Sequence, residues 1–141
     1  MIFQTTPDRV HFKAGQDRLA VQRLSPKGLN RWYATCCNSP LCNTLAGPGF
    51  PFVGFLSGRM PEPAPLGPIM SRANIPNGTG KPGQEHVLAA GLGLMRRALM
   101  ARLTGRWKKT PFFDVDTKAA TAPVHVISLE EKEAALAALK D

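Results

Sequence analysis

Arg18-Leu19-Ala20-Val21-Gln22-Arg23-Leu24, then Ser25-Pro26-Lys27-Gly28, then Asn30-Arg31-Trp32-Tyr33-Ala34-Thr35: two short runs with a break between them decide the fold class. The first run alternates Leu19 and Val21 with Arg18, Ala20 and Gln22, the period of two expected of a half-buried strand. The break places Pro at the second position of a turn, where its fixed φ is already suited, so the chain doubles back and the two runs pair antiparallel. Upstream, Arg9-Val10-His11-Phe12 reads as a further strand, with Gly15 and Asp17 in the hairpin loop that follows it. Downstream, Phe50 to Leu56 is another candidate. Residues 1–56 are therefore expected to form an antiparallel β meander.

Beyond the meander the backbone chemistry changes. Residues 47–83 contain 8 Gly and 8 Pro of the 13 of each in the chain. Pro61, Pro63, Pro65 and Pro68 exclude helix and central strand between them. Residues 57–83 are read as a long strap lying on the body through Leu66, Ile69 and Met70, in preference to an active-site lid. From Gln84 the period becomes helical. Leu88, Leu92, Met95, Leu99 and Leu103 recur at helical spacing, and Gly105 is a natural stop. This predicts a largely buried helix, with Gly91 and Gly93 allowing close approach of a neighbouring backbone. Ser128 and Glu131 have capping-box spacing, ahead of an Ala- and Leu-rich run to Lys140 that should form a short terminal helix. The expected fold is α+β and a single domain over 1–141: a β-rich antiparallel sheet, a Pro/Gly-rich strap, and a C-terminal part over 84–141 with two helices.

The whole chain fits one core. It has 141 residues, 43% of them hydrophobic and 20% charged, with 18 Lys plus Arg against 10 Asp plus Glu, a formal charge of +8. A body of this size buries roughly two-thirds of the surface its unfolded chain exposes. Three cysteines, two of them adjacent, argue against a disulfide framework. The opening residues lack the apolar run of a secretory signal, and the most apolar window, residues 87–103, carries Arg96, Arg97 and Arg102. These features exclude a membrane span and lead to the expectation of a cytoplasmic protein. An open sheet edge at Arg9 to Phe12 would invite a homodimer.

The segment Arg31-Trp32-Tyr33-Ala34-Thr35-Cys36-Cys37-Asn38-Ser39-Pro40-Leu41 resembles the second half of the glutathione-dependent formaldehyde-activating enzyme and centromere-protein-V-like superfamily. Members of that superfamily carry an Arg, an aromatic residue and Cys-x-x-Cys-Gly-x-x-Leu at a hairpin tip. Val10-His11-Phe12, Gly15 and Arg18-Leu19 are similar to its lead-in. Leu24-Ser25-Pro26-Lys27-Gly28-Leu29, Thr44-Leu45, Gly105-Arg106-Trp107 and Pro111-Phe112-Phe113-Asp114 resemble an uncharacterised branch of it.

The resemblance implies an Mss4-like zinc-binding fold. In active relatives it implies carbon-sulfur lyase chemistry, in which glutathione and formaldehyde are joined or separated at zinc. This sequence departs from the pattern. The superfamily's first half, with its other cysteines, has no counterpart here, Ala34 replaces the first Cys of the motif, and Asn38 replaces the Gly. Cys37 alone falls on a family ligand position. The expectation is a degenerate zinc knuckle over this hairpin, retained as a shape because Asn tolerates the left-handed conformation, with zinc absent and no lyase activity. The alternative is a lyase acting on glutathione adducts, if a longer chain or a partner completes the site.

The residue chemistry agrees with the expectation. Structural zinc takes four Cys or His ligands and catalytic zinc takes three plus an open position. The local supply is Cys36, Cys37 and Cys42, and His11, His86 and His125 lack ligand spacing to them. Adjacent cysteines on an extended strand point to opposite faces, which suits Cys36 and Cys37 poorly to one ion unless a turn intervenes. A nucleophilic thiol needs a neighbouring base or cation, and Arg31 is the only local cation. Cys42 reads as a small core residue.

A second candidate site is basic. Arg96, Arg97, Arg102, Arg106, Lys108 and Lys109 face a single acid, Glu85, between residues 84 and 110, with Trp107 among them. Such a cluster suits nucleic-acid phosphates, with the indole stacking on a base. The plainer reading, preferred because no nucleic-acid motif accompanies the charge, is cations at a helix end whose dipole favours them and Trp107 packed inward. Gly47-Pro48-Gly49 and Asn77-Gly78-Thr79-Gly80-Lys81 lack the context of a phosphate loop. Asp114 and Asp116 read as loop residues, and His125 as a satisfied strand histidine.

Overall fold

The computed structural model describes residues 2–59, 68–75 and 83–138. Five strands come first: β1 (Ile2–Thr5), β2 (Leu19–Arg23), β3 (Asn30–Ala34), β4 (Ser39–Thr44) and β5 (Val53–Leu56). A pair follows, β6 (Arg72–Ile75) and β7 (Gly83–Glu85). Then come helix α1 (Val87–Leu103), strand β8 (Val124–Val126) and helix α2 (Leu129–Ala137). The main sheet has the order β1-β5-β4-β3-β2-β8, and β6 and β7 form a separate antiparallel ribbon. The architecture is α+β.

Register explains the core. Val21 pairs with Trp32, Trp32 with Cys42, and Cys42 with Phe55, so one row of apolar side chains crosses four strands. Val21, Trp32, Cys42 and Val53 are buried, and Phe112 and Phe113 pack onto them from the segment after α1. The Trp32 and Phe112 rings lie 5.1 Å apart, and Phe12 meets Phe112 edge-on at 5.7 Å. Polar groups in this core are satisfied, as burial requires. Trp32 Nε1 donates to Thr44 Oγ1 at 2.9 Å, while Asn30 accepts from Arg23 Nε at 2.7 Å and donates to the Leu45 carbonyl at 3.1 Å.

Several expectations are corrected. Arg9 to Phe12 is not a strand: Pro7 opens a 3-10 turn over Pro7–Arg9, and the first strand lies earlier, at Ile2–Thr5. The ends of the sheet are therefore β1 and β8, and the predicted edge at Arg9 to Phe12 does not exist. The sheet is mixed rather than antiparallel, because β8 pairs with β2 in parallel. At the end of the predicted strap, residues 72–75 pair as β6 with β7, which begins at the strap's last residue and runs on to Glu85. Ile69 and Met70 are exposed and do not fasten it to the body. Leu66, Pro61, Pro63, Pro65 and the stretch Asn77 to Lys81 lie outside the described residues.

Helix α1 forms where expected, ending at Leu103 with Thr104 as its C-cap and Gly105 at φ +70° just beyond. It is not largely buried. Ala98 and Ala101 are its buried residues, and the leucine and methionine stripe faces outward. Among the described residues nothing lies within 4 Å of a Cβ built at Gly91, and the Arg97 side chain lies near one built at Gly93, so the expected close approach of a neighbouring backbone is not seen there. The terminal helix has the predicted capping box: Ser128 Oγ accepts from Glu131 N, and the Glu131 carboxylate accepts from Ser128 N.

Candidate functional site

The β3–β4 hairpin turns through Thr35, Cys36, Cys37 and Asn38. Asn38 takes φ +51°, the left-handed conformation that the amide side chain tolerates. The turn overrides the strand geometry that would separate adjacent cysteines. Cys36 and Cys37 are both exposed, with sulfur atoms 3.7 Å apart. Cys42 lies in β4 within the core, and burial pushes its thiol up to about 12, so it stays protonated at neutral pH.

The turn therefore gathers two thiols and excludes the third. His125 is in β8, with Nε2 3.0 Å from Glu131 Oε1, and His86 caps the start of α1 at φ +53°. His11 follows the first 3-10 turn and lines a cleft with Asp8 and Lys109. Among the described residues no three His, Cys, Asp or Glu side chains come together in a way that would hold a metal ion. Two sulfur donors do not make the four-ligand or three-ligand set of a zinc site. Asp114 and Asp116 belong to an exposed turn. Asp114 accepts from the Thr117 N–H, the Thr117 hydroxyl and the Asp116 N–H, which hold its carboxyl below the usual range in a self-contained turn.

Beside the hairpin is a cavity of about 400 Å³ whose polar wall is Gln22, Arg31, Tyr33, Asn38 and Asn43. Three amides, a phenol and one guanidinium can hold a polar group by hydrogen bonds. The one thiol in its lining is Cys42, which carries no thiolate at neutral pH. The family model that matches the chain covers residues 1–75 and describes a family of unknown function (DUF6151). The chain belongs to that family. The part matched to DUF6151 runs from β1 to the end of β6 and contains the whole β3–β4 hairpin, whereas α1 and α2 lie beyond it. No curated protein and no solved structure matches the chain.

The basic candidates divide into two groups. Arg102 stacks over the half-buried Trp107 ring at 4.9 Å, and Lys108 approaches it at 6.0 Å. Arg106 Nε lies 3.8 Å from the Asp8 carboxylate, whose side chain is only 8% exposed. This pair ties the 3-10 turn at Pro7–Arg9 to the one at Arg106–Lys108. Arg102 and Lys108 are thus engaged with the Trp107 ring. Arg96, Arg97 and Lys109 are exposed and have no ion-pair partner among the described residues. Sequence reasoning passes over Asp8, because its role depends on a residue far along the chain. No helix among the described residues is long and apolar enough to cross a membrane.

Proposed function

We propose that this DUF6151 chain is a non-catalytic binding module, related to the formaldehyde-activating superfamily, in which the zinc knuckle persists as a turn without its metal site. One observation carries the reading. The hairpin keeps its left-handed corner at Asn38, yet its cysteines are split between an exposed pair at the tip and a buried, protonated thiol in the core. The corner serves the sheet, since it sets the return of β4 along β3. The polar cavity beside it offers hydrogen-bonding groups without a base or a thiolate, which suits holding a ligand rather than transforming one.

A second reading keeps the lyase. It is favoured by the 3.7 Å approach of Cys36 and Cys37, two exposed sulfur donors that a longer chain or a partner would have to supplement. The two readings separate in a glutathione and formaldehyde turnover assay with zinc added, run on the chain and on Cys37→Ser in a lysate of the cells it comes from, where a supplementing partner would be present. The binding-module reading expects no turnover from either. Zinc-dependent turnover that Cys37→Ser abolishes would establish the lyase.

A further inference from the structure

Five large apolar side chains stand out of the body along one line of α1. Leu88, Leu92, Met95, Leu99 and Leu103 are 86, 72, 57, 59 and 73% exposed. Their successive spacings of four, three, four and four residues are those of the seam between two packed helices, and the less exposed Val87 and Met100 lie off that line. The buried residues Ala98 and Ala101 occupy a different face, where α1 meets the rest of the chain. A helix with an apolar stripe on a second side has two surfaces to cover, and the single chain covers one.

Charge selects what fits the seam. Arg96 and Arg102 border it on its two sides, and residues 87–103 contain no Asp or Glu. Two copies of α1 packed together would bring Arg96 and Arg102 of each helix into one interface with no acid between them, a destabilising arrangement. The chain has a complementary element in α2. No residue of α2 is buried, Leu129 and Leu136 are exposed on one face two turns apart, and Glu130 and Glu133 give the helix the opposite charge. The start of α2 is held beside β2, where Ile127 N–H donates to the Arg23 carbonyl, and in the single chain α2 leaves the α1 seam exposed.

We infer that the α1 seam is an interface for a second copy of this chain and receives that copy's α2, the contact being made twice about a two-fold axis. A reciprocal, self-complementary contact of this kind closes at two subunits. It buries both unpartnered apolar rows and sets Arg96 against Glu133. The inference is independent of the metal-free reading of the hairpin, because it uses no residue of the knuckle.

Light scattering on the eluting full chain tests it. The wild type should run at twice the 15.3 kDa chain mass, and Leu92→Glu with Leu99→Glu should run at the single-chain mass with unchanged circular dichroism, since both positions are exposed. Arg96→Glu alone and Glu133→Arg alone should each weaken the dimer, and the two together should restore it. A wild type of single-chain mass throughout the micromolar range overturns the inference, as does a dimer that survives the double leucine substitution. Failure of the charge swap to restore the dimer overturns the assignment of α2. A monomeric wild type that sediments with phosphatidylserine vesicles overturns the inference in favour of a lipid-facing helix.

Discussion

Cys42 sits between Trp32 and Phe55 across the sheet, and burial there pushes its thiol from the ordinary 9.0 to about 12. Above pH 9 the unfolded chain releases this proton while the folded chain keeps it, so stability falls as pH rises, by about 1.4 kcal/mol per pH unit until the folded thiol also ionises. Cys42→Ala is expected to lower stability at neutral pH and to remove this alkaline slope. Denaturant midpoints of both chains on either side of pH 9 check it. Phe112 is the other residue on which the core turns, touching Trp32 from one side and Phe12 from the other. Truncation to alanine should cost about 3–5 kcal/mol, seen as a large drop in the thermal midpoint. A small drop would mean that the segment after α1 is not the lid of the core.

Among the elements, α2 has the clearest local support. Ser128→Ala should cost its helix about 1 kcal/mol. The Ser128 N–H, followed by the His125 side chain, holds the Glu131 carboxyl below its usual range. Its contribution is therefore complete above the unfolded carboxylate value of about 4.3 and is lost as pH falls through the lower folded value. Far-UV circular dichroism during acid titration should show α2 losing helicity, with the Ser128→Ala chain starting lower. This box was legible in the sequence because its signals lie within four residues. The β2–β3 pair was legible for the same reason: alternation and a Pro turn are local. Strand β4 was not, since Ser39-Pro40-Leu41-Cys42-Asn43-Thr44 carries a proline and several polar groups, and the partner of the buried Thr44 hydroxyl, Trp32, lies across the sheet. The parallel pairing of β8 with β2 joins distant segments and leaves no local trace. For α1 the period was readable and the burial was not, because spacing says which side chains align and not what lies against them. At the hairpin, Asn38 announced the left-handed corner, but the approach of the two thiols depends on the turn as a whole.

For the whole molecule, the net charge of +8 is less of a binding surface than the count suggests. Arg106 is committed to Asp8 in the joint between two 3-10 turns, and Arg102 and Lys108 to Trp107, so contacts within the protein use three of the six cations in the basic stretch. The α+β body is organised around an aromatic core, and the β3–β4 hairpin is bound into it through Trp32, Cys42 and Thr44. On this account the fold's integrity comes from that core and not from an ion at the knuckle. The most direct measurement is elemental analysis of the purified full chain, with thermal unfolding before and after exhaustive chelation. The account predicts less than stoichiometric zinc and an unfolding midpoint that chelation leaves unchanged. One tightly held zinc per chain, with a midpoint that collapses when it is removed, would contradict it.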